Sequence, residues 1–284
     1  MRIPINPLLA KELRLRMRTW RSFAMVSLYL LVLGGLGLAF YAAITQSIRH
    51  GFGDLVQAGR QLFIYLAMLQ FGLVFFLVPG ITAGSITNER ERQTFDLLVC
   101  TQLTPFGIIR GKLASALSIV FLLILASLPL YSIVFLLGGV ALSEVITLFV
   151  IFLFTALIYA SFAMMFSALF KRTMAAIVAS YALSLFLAWG LAMLVAALLG
   201  IFYRGTGSFF GQWLLLVHPA ATLEWLFPVE GGELISFMNG GRYPLPGFLR
   251  FWHLAALVQA ALASLALFVA TRAVNPLQAG RRSG

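Results

Sequence analysis

Residues 88–112 read NERERQTFDLLVCTQLTPFGIIRGK and separate two long apolar runs that contain no charged residue. The stretch carries seven charged side chains: Glu89, Arg90, Glu91, Arg92, Asp96, Arg110 and Lys112. Because the hydrocarbon core of a bilayer does not tolerate such a cluster, we interpret the stretch as a loop between two membrane spans. We refer to residues 88–112 as the charged loop.

The charged loop is patterned as a folded element. Thr94 is predicted to cap a short helix whose first turn carries Asp96, with Phe95 and Leu98 on one face. A compact, charged loop with an apolar face is suited to docking at the membrane surface. The alternative is a charged loop that only fixes the topology of the chain.

Composition places the rest of the chain in a membrane. Hydrophobic residues make up 61% of it and charged residues 10%, whereas soluble domains carry about 25% charged residues. The net charge of +11 lies around the apolar runs, so we expect no nucleic-acid partner. The single cysteine, Cys100, excludes an internal disulfide. The first apolar run, of about 22 residues, is longer than a signal-peptide core and is expected to remain as a span.

We predict an all-α polytopic membrane protein with one transmembrane domain over residues 1–284. The six spans are predicted at 23–44, 62–83, 105–138, 146–169, 174–202 and 251–274. Thr104 and Pro105 predict the start of the third span, with Thr as the N-cap and Pro at the first helical position. Pro129 is expected to kink this span, and a Gly-Gly turn should follow it.

A short amphipathic helix is predicted at residues 6–21, before the first span. One of its faces is apolar, and the other carries basic residues expected to meet anionic lipid: Lys11, Arg14, Arg18 and Arg21. Such a helix lies in the interface of the membrane. A plain basic anchor that only sets topology is a compatible interpretation.

Charge asymmetry predicts the orientation. The N-terminus, the charged loop, the turn between spans four and five and the C-terminus together hold 15 of the 20 Lys and Arg residues. The positive-inside rule places that side in the cytoplasm, so both termini are expected there. Between spans five and six, residues 203–250 contain short apolar stretches broken at His218 and Pro219. We expect re-entrant outer helices here, with an ordinary outer loop as the alternative.

The charged loop also resembles a known sequence. I-T-N-E-R-E-R-Q-T-F-D-L-L at residues 86–98, followed by T-P and G-K, resembles the loop between spans two and three of type-2 ABC exporter permeases. Those loops usually read E-R-E-x-G-T-x-E-x-L-L, then Pro and G-K. Glu91 and Thr94 match, Asp96 replaces Glu, and Gln93 stands where Gly is usual. The resemblance covers the whole chain loosely, but only the loop is specific.

In that family the loop is a coupling helix that sits in a groove of a cytoplasmic ATPase. The resemblance therefore implies an ATPase-coupling role for Glu89, Glu91, Thr94, Phe95, Asp96 and Leu98. It also implies that Arg14 and Arg18 assist from the interfacial helix. It further implies an inner-membrane exporter that pairs with a second copy or a related permease, with ATP and Mg²⁺ held by the ATPase subunit. Polar side chains such as Gln70 are candidates for lining the interface between the two permeases.

The chain lacks residues that other functions require. No ionisable side chain lies at the middle of a predicted span, which disfavours an ion-coupled secondary transporter. G-x-x-x-G-K-L at residues 107–113 is not a Walker A motif, because it is one residue short and lacks the Ser or Thr. We expect no catalytic site and no cofactor in this chain. His50, His218 and His253 are too far apart in sequence to predict a metal site. A secondary transporter and a non-transporting subunit that assists maturation of an extracytoplasmic copper enzyme remain the alternatives.

Overall fold

A computed structural model describes residues 20–49, 55–95, 104–191, 193–194, 197, 216–219, 222 and 251–274. Over these residues the protein is helical and contains no strand. Six helices are long and apolar enough to cross a membrane: Phe23–Gln46, Val56–Glu91, Pro105–Leu137, Leu142–Leu169, Thr173–Gly190 and His253–Val274. The predicted all-α polytopic fold with six spans is confirmed.

The helices are numbered in chain order. They are α1 (Trp20–Arg49), α2 (Leu55–Thr82), α3 (Thr87–Glu91), α4 (Pro105–Ala126), α5 (Leu128–Leu137), α6 (Leu142–Leu169), α7 (Thr173–Leu185) and α8 (Phe251–Val274). A π-helical segment, Phe186–Gly190, continues α7. Helix α2 begins seven residues before the predicted span, and these added residues include three polar ones, Gln57, Arg60 and Gln61. The short α3 lies in the charged loop.

The third span begins and breaks where its sequence predicts. The Thr104 side chain caps α4 by accepting a hydrogen bond of 3.1 Å from the Gly107 N–H, and Pro105 occupies the first turn. The span is divided into α4 and α5, which meet at Ser127, just before Pro129. Proline at this position removes a backbone donor and opens the preceding turn, as expected.

The turn between α5 and α6 lies at the end of the bundle opposite the charged loop. Gly138 and Gly139 both have positive φ, 81° and 86°, which glycine adopts without strain. A Cβ added to Gly139 would lie 2.4 Å from the carbonyl oxygen of Val56, so the turn packs backbone to backbone on α2. Arg60 and Glu144 approach to 3.9 Å beside it.

Helix α6 lies at the centre of the bundle and packs against α2, α4, α7 and α8. Large buried side chains such as Phe152 and Tyr159 fill its contact faces. Gln70 of α2 is also fully buried within this bundle, at 0% exposure, so in this structure it does not line an interface with a second subunit. Helices α1 and α7 instead present large apolar side chains outward, the surface that lipid or another membrane chain covers.

Several predicted features fall outside the described residues. Lys11, Arg14, Arg18 and most of the predicted interfacial helix lie there, and only the backbone of Arg21 is described, in the first turn of α1. Most of the predicted outer segment 203–250 lies there as well. Its described part, residues 216–219 and 222, is held by two elements. Gln259 of α8 donates to the carbonyls of Leu216 and His218 at 3.2 and 2.9 Å, and His218 Nε2 hydrogen-bonds to the Ala188 carbonyl at 2.9 Å.

Candidate functional site

Helix α3 begins directly after α2 and is held at its N-terminus by the fourth span. The backbone N–H groups of Ile86 and Thr87 donate to the Ser167 hydroxyl oxygen on α6, at 2.9 and 3.3 Å. The first N–H groups of a helix have no partner within that helix. A side chain from α6 therefore completes the start of α3.

The C-terminus of α3 closes in a Schellman motif. The Thr94 N–H donates to the Glu89 carbonyl at 2.9 Å, and the Gln93 N–H donates to the Arg90 carbonyl at 3.1 Å. This pattern requires a left-handed residue one position after the cap, which is usually glycine. Gln93 has that conformation, with φ of 58°, and it is the position where the resembling permeases carry glycine.

Glu89 connects α3 to the third span. Its carboxylate lies 2.7 Å from the Lys112 ammonium on α4. The Lys112 side chain is 3% exposed and that of Glu89 is 25% exposed, so the cation is the more deeply buried partner. A buried ammonium requires a counter-ion, and Glu89 supplies it.

Glu91 connects α3 to the fifth span. Its carboxylate accepts a hydrogen bond of 2.6 Å from the Thr173 N–H at the first residue of α7. The Thr173 hydroxyl donates to the Asn88 side-chain oxygen at 3.1 Å. An anion is stabilised at this end of a helix by the free N–H groups and the helix dipole.

The hydrogen bonds from Thr173, and then the charge of Arg172, hold the pKa of Glu91 below its usual range. A lowered folded-state pKa means that this contact stabilises the folded protein above the usual carboxylate pKa. The stabilisation is lost as the pH falls through the lowered value. The link between α3 and α7 is therefore fully formed at neutral pH.

Arg90 covers the end of the fourth span. Its guanidinium donates to the carbonyl of Phe170, the C-cap of α6, at 3.0 Å. The same group lies 5.0 Å from the centroid of the Phe95 ring, within range of a cation–π interaction. With the contacts of Ser167, Lys112 and Thr173, α3 is bonded to three spans at once.

Residues 7–231 match the family described as ABC-2 family transporter protein. The chain belongs to this family. It is thus a membrane permease subunit of an ABC transporter, of a family whose transmembrane subunits lack the ATPase domain and work with a cytoplasmic ABC ATPase. The sequence matches no individually curated protein.

In this ABC-2 permease the six predicted coupling residues have different surroundings. Glu89 and Glu91 bond to other parts of the same chain. The exposed Thr94 donates its hydroxyl to the Glu89 carbonyl at 3.3 Å, and Phe95 lies under Arg90. Asp96 and Leu98 lie outside the described residues, as does the rest of the helix predicted to follow Thr94.

Sequence reasoning missed α3 itself and most of the residues that hold it. The missed anchors are Asn88, Arg90, Ser167, Phe170 and Thr173. A glycine at position 93 would have indicated a helix end just before it, but this permease has Gln there. The Ser167 and Thr173 contacts join residues about 80 positions apart, which a single sequence does not reveal.

Proposed function

We propose that this ABC-2 permease is the membrane-spanning half of an ATP-driven exporter. A separate cytoplasmic ATPase binds ATP and Mg²⁺ and supplies the energy, and this chain carries no cofactor of its own. The permease lies in the inner membrane, with both termini and the charged loop in the cytoplasm. It pairs within the lipid bilayer with a second copy of itself or with a related permease.

The attachment of α3 to three spans supports this proposal most strongly. A loop that only fixed topology would need charge but no connection to the bundle. Here Lys112, Ser167 and Thr173 bind α3 to spans three, four and five. A force applied to α3 by an ATPase would therefore move the spans with it, which is what a coupling element requires.

We assign the predicted coupling residues to two roles. Glu89 and Glu91 are engaged inside the permease, and we assign to them the task of holding the loop in place. We assign contact with the ATPase to Thr94, which is exposed, and, on the resemblance alone, to Phe95, Asp96 and Leu98. Glu91 then acts on coupling through Thr173 of α7 rather than through contact with the ATPase.

Purification of the tagged permease from native membranes in mild detergent tests the proposal. We expect a soluble-type ATPase to co-purify and to hydrolyse ATP. Glu91→Lys should abolish the stimulated hydrolysis, because it places a cation at the positive end of α7 and removes the acceptor for the Thr173 N–H. Glu91→Gln keeps an acceptor oxygen there and should retain most of the activity.

Glu144→Lys is the matched control, since it makes the same charge change at a helix start on the opposite end of the bundle. We expect it to leave hydrolysis unchanged. Absence of any ATPase from the eluate would overturn the proposed function. Equal loss of hydrolysis in Glu91→Gln and Glu91→Lys would overturn the proposal that Glu91 acts through Thr173. It would indicate that the ATPase contacts the charged carboxylate directly.

A further inference from the structure

Helix α7 contacts α3 at Thr173, and two turns further along it also contacts α2. The Tyr181 hydroxyl donates to the carbonyl oxygen of Phe76 at 2.7 Å. Pro79 lies inside α2 three residues further on. A proline has no N–H, so the carbonyl of Phe75 loses its helical partner and the surrounding turn is weakened. We call residues 75–80 the proline turn.

Tyr181 fits closely against the proline turn. A Cβ built on Gly80 would lie 2.8 Å from the Tyr181 hydroxyl oxygen, closer than a real side chain allows. Gly80 therefore leaves the space that this hydroxyl occupies. Within a bilayer, a side chain of this kind that donates to a weakened turn stabilises it, because no water is available to do so.

The contacts form a closed ring of three elements. Helix α2 runs through residues 83–86 into α3. Helix α3 binds the start of α7 through Glu91 and Asn88, and α7 returns to α2 through Tyr181. From Thr173 to Tyr181 helix α7 is unbroken, a rise of about 12 Å. The first two turns of α7 thus brace the proline turn against the charged loop.

We propose that Tyr181 is a positioning residue for coupling. Its hydrogen bond to Phe76 makes the end of α2, α3 and the start of α7 move as one unit when the ATPase acts on the loop. The role of Tyr181 in coupling rests on the proposed function, because coupling requires an ATPase that acts on the loop. The rigid unit itself does not depend on any ATPase.

Amide hydrogen exchange of the full-length permease in lipid nanodiscs tests the unit without an ATPase. Tyr181→Phe removes one hydrogen bond, so exchange at residues 80–84 should rise about two- to tenfold. Tyr65→Phe is the control, because Tyr65 stacks on Phe40 in another part of the bundle. We expect no change at residues 80–84 in that variant.

Two glycines of α2 provide a second, matched pair. A Cβ on Gly72 meets no atom within 4 Å, so Gly72→Ala should slow local exchange, as alanine does in a helix. Gly80→Ala should instead speed exchange at residues 80–84, because the new methyl group displaces the Tyr181 hydroxyl. Slower exchange in both variants would overturn the proposal.

A double variant separates coupling from local packing. Glu91→Ala and Tyr181→Phe change residues that do not touch each other, so purely local effects on exchange at residues 80–84 would multiply. If the unit is rigid, either change releases it, and the double variant should exchange no more than about twice as fast as the faster single variant. Simple multiplication of the two effects would overturn the proposal. None of these results depends on the ATPase, so loss of the co-purification result would count against the proposed function alone.

Discussion

Gln93 holds a backbone conformation that its side chain disfavours. The left-handed conformation costs a residue other than glycine about 1–2 kcal/mol. Gln93 adopts this conformation because the Schellman motif at the end of α3 requires it. The same position is glycine in the resembling permeases. The structure therefore gives a physical reason for that glycine, and it identifies a strained position in this chain.

Replacement of Gln93 by glycine should stabilise the protein. Glycine removes the strain but adds flexibility to the unfolded chain, so we expect a net gain of about 0.5–1 kcal/mol. Thermal unfolding in detergent measures it. Gln93→Val is the control and should be less stable than the parent, since a β-branched residue is least tolerant of positive φ. A parent protein more stable than the glycine variant would contradict the assignment.

The Lys112–Glu89 pair should respond unequally to removal of its two members. Glu89→Gln removes the carboxylate that lies 2.7 Å from the buried ammonium of Lys112, and we expect a loss of about 3 kcal/mol. Lys112→Met removes the more deeply buried ion and leaves Glu89, whose side chain is one quarter exposed, so its cost should be smaller. Unfolding free energies measure both.

The double variant Glu89→Gln, Lys112→Met completes the cycle for this pair. We expect it to be more stable than Glu89→Gln alone, because the buried cation is gone. A Lys112→Met variant that is less stable than Glu89→Gln would show that the buried ammonium does not carry the larger desolvation cost of the pair.

Helix α2 carries a polar side chain that the described part of the bundle leaves without a hydrogen bond. Gln70 is fully buried, and neither its amide oxygen nor its amide nitrogen has a hydrogen-bond partner among the described residues. Such a group inside a membrane protein costs about 1–3 kcal/mol. Gln70→Leu should therefore raise the thermal unfolding midpoint, with a gain of about 1 kcal/mol.

Gln61→Leu is the control for this change, because Gln61 lies on the exposed side of the same helix near its start. We expect little change there. A marked loss of stability in Gln70→Leu would show that an ordered water or a bound polar group completes the Gln70 amide. Thermal unfolding of the two variants in the same detergent decides between these results.

The elements differ in how far the sequence predicts them. The start of α4 is determined by two adjacent residues, Thr104 and Pro105. In the structure Thr104 caps the helix and Pro105 occupies its first turn, as the pattern predicts. The break before Pro129 and the turn at Gly138 and Gly139 are local in the same way. Long apolar runs likewise predict the six spans, because length and hydropathy are all that a bilayer requires.

The candidate site was predictable only in part. The charged loop follows from the sequence, and the coupling role that the resemblance implies for Glu91 stays a prediction. The partners that hold α3, such as Ser167 and Thr173, come from spans that lie far along the chain. Gln70 illustrates the same limit, since its polarity suggested an interface whereas the packing of α2 buries it. Contacts between spans depend on packing, and hydropathy carries no information about packing.

The native cysteine provides a direct test of the orientation of the permease in the membrane. Cys100 lies in the charged loop, which we place in the cytoplasm because basic residues gather at that end. A membrane-impermeant maleimide should label it in inside-out vesicles and leave it unlabelled in right-side-out vesicles.

The control is Ser143→Cys in a Cys100→Ser background, at the exposed start of α6 on the opposite end of the bundle. It should show the reverse pattern of labelling. Labelling of Cys100 from the outside would reverse the orientation and place the charged loop out of reach of any cytoplasmic ATPase.

The anchors of α3 also set an order for biosynthesis. Glu89 meets a partner 23 residues later, whereas Ile86 and Glu91 meet theirs 81 and 82 residues later. At about 5–20 residues per second, a ribosome needs roughly 3–12 s to add the 61 residues that separate Thr173 from Lys112. For most of this time Lys112 is the only one of the three partners named above that has been synthesised. Only after the start of the fifth span has been synthesised are all three partners of α3 present, so a chain that stalls earlier lacks the contact between Glu91 and Thr173.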